Sequence, residues 1–395
     1  MPTIDSVVSR AAVLAPDQTA VHEWEANRKL TYGELDAALS SFAAWMRAHG
    51  LSDGQAVALH LPNSSDFLIA QFSSFRAGAV AVYVNYRLSA AESVRQIRLG
   101  GARVIVTTKA KMNELRDFPE LKDAIFVLVD RDGTGEHNLQ NIIQKRATID
   151  GPVDREDKDA IIRFTSGSTG APKGIIVTHR AWLIRAVSML AETIQVVPHS
   201  TTMVLGPLTH QAGLFVLPTF LRLGTLLIIS DFDPLKVADA LARERISCAP
   251  FVPTVIGFLL ENPASREALR NSGITRIMYG GSPIRRTVLD EAIDLLPNTE
   301  FFQSYGSHEA GSISYLNHAD HQDPMLRSSA GKPLLAAAVQ LGNVNADGIG
   351  EIEVKAPWTP HARLTEAGRE PIPDGWIPTG TSPNSNTAIS SFATA

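Results

Sequence analysis

The chain has 395 residues, of which 44% are hydrophobic and 19% charged, so it is long enough and apolar enough to bury extended cores. Its formal net charge is −5 and no long basic run occurs, which argues against nucleic acid as a partner. The only cysteine, Cys248, excludes an intramolecular disulfide and favours a reducing, cytoplasmic location.

The N-terminal twenty residues contain no basic region followed by an apolar core, so we expect no signal peptide. Thr193–Leu221 contains no Lys, Arg, Asp or Glu and resembles a hydrophobic segment. Three prolines and two glycines interrupt it, which is incompatible with a bilayer helix. We therefore predict buried strand and loop there, and no membrane span.

Apolar, β-branched runs alternate with helical patterns along the chain. Strands are predicted at AVALHLPNS, AVAVYVN and RVIVTT, and helices between them at DFLIAQFSSFRAG and AAESVRQIRLGG. The second half continues with strands at TLLIIS, APFVP, RIMYGG and EFFQSYG, and helices at PLKVADALARERI and RRTVLDEAIDLLP. This alternation predicts an α/β fold with mainly parallel sheets packed in layers under helices.

Composition changes mark the expected domain boundaries. The polar stretch Thr148–Asp159 separates a first α/β subdomain, residues 1–150, from a second, residues 151–324. Residues 325–380 have Gly/Pro punctuation and short strands such as GEIEVKA, which predicts a small β-barrel-like subdomain. Residues 381–395 carry no charge or periodicity and are predicted to be an unstructured tail.

The stretch FTSGSTGAPKG, Phe164–Gly174, combines glycines, hydroxyl side chains and one lysine. Backbone N–H groups and hydroxyls suit a phosphate, and Lys173 adds a mobile positive charge. A flexible linker would not need the Pro-Lys-Gly ending. The loop joins two predicted strands, and a helix begins only at Thr178 as N-cap. The P-loop of NTPases, which leads directly into a helix, therefore does not fit.

Four loops follow predicted strands: Thr165–Gly174, Gly206–Gly213, Tyr279–Pro283 and Gln303–Gly311. In this order they resemble the motifs of the adenylate-forming enzymes, which include acyl-CoA synthetases, aryl-acid ligases, peptide-synthetase adenylation domains and firefly luciferase. The resemblance runs from LTYGELDAALS to GWIPTG, nearly the whole chain. It implies that a carboxylic acid reacts with ATP to give an acyl-adenylate and pyrophosphate, and that coenzyme A is the co-substrate of the complete enzyme.

The resemblance also assigns roles to single residues. Glu309 would bind Mg²⁺, and Tyr305 would stack on adenine, although a solvated loop glutamate and a core tyrosine are the alternatives. Residues that would bind the β- and γ-phosphates are Thr165, Ser166, Gly167, Ser168, Thr169, Gly170 and Lys173. Residues that would surround the adenine are Gly281, Ser282, Pro283, Ser304, Tyr305 and Gly306.

His210 matches the histidine that lines the acyl pocket of acyl-CoA synthetases, with a purely structural histidine as the alternative. Phe215, Met278 and Gly280 would complete that pocket. No acidic residue occurs between Leu205 and Leu221, so the ammonium group of an amino acid would remain unpaired. The expected substrate is therefore a hydrophobic carboxylic acid, aromatic, alicyclic or aliphatic.

The sequence departs from the family pattern at two places. His308 replaces the threonine that contacts the α-phosphate, and we expect its imidazole to donate a hydrogen bond there, with Lys173 and Glu309 as the other catalytic residues. Thr381 replaces the ribose-binding aspartate, and residues 381–395 do not resemble the C-terminal lid that carries a catalytic lysine.

We therefore expect a large domain whose lid is missing, with impaired adenylation and negligible thioester formation. The tail is interpreted as a frameshifted coding segment or a natural lidless variant. Two other functions stay open: a nucleotide- and acyl-binding module without turnover, or an aryl-acid adenylating enzyme that works with a separate lid or carrier partner.

Overall fold

The computed structural model describes residues 3–51, 53–149, 155–166, 172–323, 326–327, 329–342, 344, 350–372 and 375–380, with only the backbone of Ser166. The chain divides into two compact units. The first contains the N-terminal segment up to Val21, Lys29–Leu183 and Pro360–Ile372. The second contains His22–Arg28, Ile184–Thr359 and the segment that follows Ile372. Both units are therefore assembled from separate parts of the sequence.

The described α-helices are α1 (Ser6–Leu14), α2 (Tyr32–Ala48), α3 (Ser65–Ala77), α4 (Ala90–Leu99), α5 (Lys109–Leu115), α6 (Leu139–Ile143), α7 (His179–Glu192), α8 (Val216–Leu221), α9 (Pro234–Arg243), α10 (Pro253–Glu261), α11 (Pro263–Asn271) and α12 (Arg286–Leu295). Short 3-10 helices cover Pro119–Leu121, Gln211–Phe215 and Ala319–Gln322.

The described strands are β1 (Thr19–Glu23), β2 (Arg28–Thr31), β3 (Ala56–His60), β4 (Val80–Tyr83), β5 (Ala102–Thr107), β6 (Ile125–Leu128), β7 (Asp159–Ser166), β8 (Pro172–Thr178), β9 (Thr201–Val204), β10 (Thr225–Ile228), β11 (Ile246–Phe251), β12 (Arg276–Gly280), β13 (Glu300–Ser307), β14 (Gly311–Leu316), β15 (Lys332–Pro333), β16 (Ala338–Gly342), β17 (Glu351–Lys355), β18 (Ala362–Thr365), β19 (Gly368–Pro371) and β20 (Ile377–Pro378).

The sheet of the first unit has the described order β19-β18-β8-β7-β4-β3-β5-β6. Strands β7, β4, β3, β5 and β6 run parallel, whereas β8, β18 and β19 add antiparallel neighbours at one side. Helix α3 shows how the sequence covers this sheet, because all of its residues are buried. The Ser64 side chain accepts a hydrogen bond from the backbone N–H of Phe67, and Gly78 ends the helix at φ +81°.

Within the second unit, the strands of the main sheet have the described order β15-β14-β13-β12-β11-β9-β10. Strands β10, β9, β11, β12 and β13 run parallel, and β14 and β15 continue antiparallel. Apolar side chains such as Phe251, Ile277 and Phe301 fill one core of this unit. Parallel strands share one carboxyl edge, so the loops that follow β9, β11, β12 and β13 leave the sheet at the same side.

The predicted α/β class is confirmed, and the described strands form mixed rather than purely parallel sheets. Strands β16, β17 and β20 form a three-stranded antiparallel sheet, and the described residues show no barrel closure there. The predicted tail, residues 381–395, lies outside the described residues.

Thr193–Leu221 also differs from its prediction as strand and loop only, since it ends in helix α8. Pro218 lies in the first turn of that helix, where its missing N–H costs no intrahelical hydrogen bond. Among the described residues, no helix is both long enough and apolar enough to cross a membrane.

Candidate functional site

In the first unit, the glycine-rich loop connects two strands, as predicted, and the structure shows that these strands are antiparallel neighbours. Strands β7 and β8 are in register with Thr165 opposite Lys173 and Ser166 opposite Pro172. Thr165 and Lys173 are half-buried. Gly167, Ser168, Thr169 and Gly170 lie outside the described residues. The hairpin thus places the Thr165 hydroxyl and the Lys173 ammonium group at the base of the loop.

The β18–β19 hairpin extends the sheet beyond β8, a pairing that no residue pattern in the sequence predicted. Leu364 lies opposite Gly174, and Arg363 lies opposite Ile175. Arg363 Nε donates to the Glu370 carboxylate at 2.7 Å. Hydrogen bonds from Arg363 and Thr365 lower the pKa of Glu370, and the charge of Lys173 adds to this effect. The hairpin therefore keeps a carboxylate within electrostatic reach of Lys173.

In the second unit, three of the predicted loops meet at the carboxyl edge of the parallel strands. Gly280, the last residue of β12, lies opposite Ser304 of β13 in the strand register. The Gln211 side chain, which follows β9, approaches both Gly280 and Gly281. The loops after β9, β12 and β13 are thus brought together, although they are far apart in sequence.

The turn that follows β12 depends on two glycines. A Cβ at Gly280 would overlap the carbonyl oxygen of Ser304 and would lie 3.2 Å from Gln211 Nε2. Gly281 has φ +84°, a conformation that side-chain-bearing residues rarely adopt. Ser282 and Pro283, which follow, are exposed. The two glycines therefore let the backbone approach β13 closely, and the next two residues expose small side chains to solvent.

Two imidazole rings from different loops lie against each other. The ring centroids of His210 and His308 are 4.9 Å apart, with an interplanar angle of 66°. The Thr209 hydroxyl lies 2.8 Å from His210 Nδ1. The sequence predicted both histidines as site residues but did not predict this contact.

Tyr305, His308 and Glu309 lie where β13 turns into β14, and all three are half-buried. The Ser307 hydroxyl accepts a hydrogen bond from the Ala310 backbone N–H at 2.9 Å, which closes the turn. The hydroxyl oxygen of Tyr305 is buried without a hydrogen-bond partner among the described residues. This turn thus presents a carboxylate and an imidazole, while its tyrosine carries an unsatisfied polar atom.

A buried arginine and a buried tryptophan form hydrogen bonds with Ser312 of β14, next to this turn. Neither residue was predicted as part of the site. Arg185 Nε donates to the Ser312 hydroxyl at 3.2 Å, and Trp358 Nε1 donates to the Ser312 carbonyl oxygen at 2.9 Å. Both side chains are within van der Waals distance of the space beside Gly311. No local sequence pattern indicated them, because their partners lie far away in the chain.

The residues predicted for the acyl pocket differ in exposure. His210 is half-buried, whereas Phe215 is fully buried and Met278 is only 2% exposed.

A cavity of about 200 Å³ lies between α10 and the start of α12, and Ser282 and Pro283 contribute to its wall. The apolar side chains Phe258 and Val288 line its other parts.

Within the described ranges, no group of three or more His, Cys, Asp or Glu side chains forms a protein-only metal centre. Glu309 is a single carboxylate in a turn, which is the kind of ligand that Mg²⁺ uses together with phosphate oxygens. At the carboxyl edge of its sheet, the second unit therefore has the ring of Tyr305, the exposed backbone at Gly281, the imidazoles of His210 and His308, and the carboxylate of Glu309.

Comparisons with known proteins agree with this arrangement. The profile described as "AMP-binding enzyme" matches residues 8–360. A feruloyl-CoA synthase of Amycolatopsis sp is 30% identical over 384 residues, covering 94% of this chain and 74% of the relative. A long-chain-fatty-acid–CoA ligase, FadD13, of Mycobacterium tuberculosis is 27% identical, covering 96% and 76%.

A solved structure is similar over almost the whole chain. The inhibitor-bound N-terminal domain of FACL13 from Mycobacterium tuberculosis superposes with a TM-score of 0.85 at 26% identity. The match covers 97% of this chain and 96% of that domain. The resemblance inferred from the four loops is therefore confirmed at the level of the family.

Proposed function

This chain belongs to the AMP-binding enzyme family of adenylate-forming ligases, and we propose that it activates a hydrophobic carboxylic acid with ATP to form an acyl-adenylate and pyrophosphate. The observation that carries the proposal is the meeting of three motif loops at one sheet edge. Gly280 pairs with Ser304, and His210 touches His308. Parallel α/β sheets bind ligands at this edge.

The nucleotide-binding roles follow the motif residues. Gly281, Ser282 and Pro283 provide one wall for adenine, and Tyr305 provides a stacking surface, with Ser304 and Gly306 beside it. The positive φ of Gly281 and the exposure of the next two residues leave this backbone open to a planar ligand. Lys173 neutralises the outer phosphates, and Thr165 contributes a hydroxyl donor.

The residues present fit a magnesium ion. Glu309 is a half-buried carboxylate next to His308 in the turn between β13 and β14, so it is a carboxylate oxygen donor of the kind that Mg²⁺ binds together with phosphate. Mg²⁺ held by Glu309 and phosphate oxygens would neutralise phosphate charge while the adenylyl group is transferred to the carboxylate and pyrophosphate leaves. His308 donates a hydrogen bond to the α-phosphate, which helps to position the phosphorus for attack by the acid.

The acid is proposed to lie beside His210. The loop around His210 contains no acidic residue, and Phe215 and Met278 supply apolar surface. The relatives are a feruloyl-CoA synthase and a long-chain-fatty-acid–CoA ligase, whose named acids share a carboxylate and a large apolar part. Coenzyme A is the proposed second substrate of the complete reaction, and a cytoplasmic location agrees with the buried free thiol of Cys248.

The site residues named above serve the adenylation step. The resemblance assigns the groups for thioester formation to a C-terminal lid, and none of these site residues belongs to it. We propose that thioester formation depends on such a lid, or on a separate lid domain or acyl-carrier partner. Loss of one preorganised charged donor costs about 10²–10³ in rate.

Nucleotide binding is tested by calorimetric titration with ATP and AMP. Lys173→Ala should weaken ATP binding about 10–100-fold and AMP binding much less, because the ammonium group serves the outer phosphates. Lys145→Ala, an exposed lysine of the same unit, is the matched control. Equal losses for ATP and AMP would contradict the role of Lys173.

Activity is tested by mass spectrometry of products after incubation with an aromatic or aliphatic acid, ATP, Mg²⁺ and coenzyme A. We expect acyl-adenylate and pyrophosphate from hydrophobic acids and little product from amino acids. Nucleotide binding without any pyrophosphate release would instead support a binding module. Faster pyrophosphate release with amino acids than with hydrophobic acids would contradict the proposed acid specificity.

A further inference from the structure

A buried tyrosine connects the two strands that carry the nucleotide-binding turns. Tyr279 of β12 is fully buried, and its hydroxyl lies 3.1 Å from Gln303 Oε1 of β13. The same hydroxyl lies 2.8 Å from Nε2 of His321, which is only 3% exposed. These three side chains form a continuous hydrogen-bonded chain inside the second unit.

The third member of the chain has a fixed orientation. His321 Nδ1 lies 2.6 Å from the carbonyl oxygen of Asn317, and a carbonyl oxygen can only accept. Nδ1 therefore carries a proton and Nε2 faces Tyr279. Burial lowers the pKa of His321, which favours the neutral ring with a free lone pair at Nε2. The Tyr279 hydroxyl then donates to that lone pair.

The hydroxyl of Tyr279 has a second partner in Gln303. When Tyr279 donates to His321, its single hydrogen is used, so a hydrogen bond to Gln303 requires the amide to rotate by about 180° and present Nε2 as the donor to the tyrosine oxygen. When His321 is protonated, Nε2 donates instead, and the hydroxyl donates to Gln303 Oε1. In that arrangement Gln303 Nε2 faces the Ser329 carbonyl oxygen at 3.5 Å. Either arrangement satisfies the buried hydroxyl, and both require His321.

The chain lies directly beneath the turns. Tyr279 and Gln303 face each other in the β12–β13 register, and the next pair is Gly280 opposite Ser304. One residue further along, the two strands continue into Gly281 and Tyr305. A small displacement of Tyr279 or Gln303 would therefore change the separation of the two walls proposed for adenine.

We propose that His321 is a positioning residue. Through the hydrogen-bonded chain that it forms with Tyr279 and Gln303, it holds the two nucleotide-binding turns at the separation that adenine binding requires. This inference rests on the proposed nucleotide-binding function. His321 lies in the 3-10 helix Ala319–Gln322, outside every motif found in the sequence. It acts on the nucleotide only through Tyr279 and Gln303.

The charged and titratable groups around His321 come from two elements. His318 and Asp320 flank it on its own segment, and both act on it electrostatically. Lys332 of β15 pairs with Asp320 at 3.0 Å. The ion pair anchors the segment to the neighbouring strand and leaves the histidine ring to contact Tyr279.

The test compares His321→Leu, which keeps the volume but removes both ring nitrogens, with His321→Gln, which keeps one donor and one acceptor. Tyr279→Phe removes only the hydroxyl. Tyr315→Phe, on β14 and outside the hydrogen-bonded chain, is the matched control. Titration calorimetry gives the affinities for ATP and AMP, and thermal unfolding reports whether each variant is folded.

We expect His321→Leu and Tyr279→Phe each to weaken both nucleotides about tenfold, with His321→Gln recovering much of the loss. The double variant His321→Leu/Tyr279→Phe should lose no more than either single one, since both remove the same hydrogen bond. Lower melting temperatures with unchanged nucleotide affinity would show a merely structural role and overturn the inference. Additive losses would also overturn it. Failure of the unmodified chain to bind ATP or AMP would instead contradict the proposed function.

Discussion

At the scale of single residues, the candidate site depends on positions where glycine has no side chain as well as on the functional side chains. Gly280 lets β12 approach the Ser304 carbonyl, and a side chain there would also press on Gln211. Gly257, in helix α10, has no atom within 4 Å of the position where a Cβ would be built. The same substitution should therefore have opposite effects at the two positions.

Gly280→Ala should destabilise the chain by about 1–3 kcal/mol, because the new methyl overlaps a strand carbonyl. It should also weaken AMP binding, since the overlap pushes the two turns apart. Gly257→Ala should stabilise the chain by about 0.5–1 kcal/mol, because alanine favours the helix. Urea unfolding and AMP titration of both variants check this. A neutral effect of Gly280→Ala on both quantities would contradict the described packing.

The sequence predicted most residues of these turns but few of their contacts. The sequence motifs predicted His210, His308 and Glu309, since each lies in a recognisable loop. Gln211, Arg185 and His321 were not predicted, because their roles arise from partners remote in sequence. Local patterns report what a residue type can do, whereas tertiary packing determines which neighbour it meets.

At the scale of elements, the sequence predicted strands and helices well where periodicity was strong. The strand–loop–strand arrangement around Lys173 is confirmed, and so is the helix that follows it. Helix α8 was not predicted, because its apolar run resembles a buried strand and contains Pro218. The β18–β19 hairpin lies within residues 325–380, the predicted small β subdomain, and its pairing with β8 was not predicted because that pairing leaves no mark in its own residues.

Helix α7 begins at a side-chain cap that can be tested. The Thr178 hydroxyl accepts a hydrogen bond from the Ala181 backbone N–H at 3.1 Å. Thr178→Ala should lower the free energy of unfolding by about 1 kcal/mol, and Thr178→Ser should restore most of it. Denaturant unfolding of the two variants is the measurement. Equal stability of Thr178→Ala and the unmodified chain would show that this cap is unimportant.

At the scale of the whole molecule, two buried histidines make stability depend on pH. His60 is fully buried and His179 is 1% exposed. Burial is the main cause that lowers the pKa of each from 6.5 to about 4, and nearby Lys111 or Arg155 adds to it. The unfolded chain therefore binds protons at these groups at higher pH than the folded chain does.

The stability supplied by these neutral rings is complete above pH 6.5 and is lost as the pH falls towards 4. At about pH 5 each histidine should cost about 2 kcal/mol relative to pH 8. Denaturant unfolding across this range should show the loss, and His60→Gln or His179→Gln should each remove about 2 kcal/mol of it. The same pH slope in both variants and the unmodified chain would contradict this assignment.

The β18–β19 hairpin lies near the end of the described chain but completes the sheet beside β8. A ribosome that adds about 5–20 residues per second would need tens of seconds to make the intervening segment, which contains most of the second unit. During that time β8, the strand of Lys173, is an unpaired edge, and such edges readily pair with other chains. The nascent chain should therefore be most prone to aggregate in the interval between the emergence of β8 and that of β18.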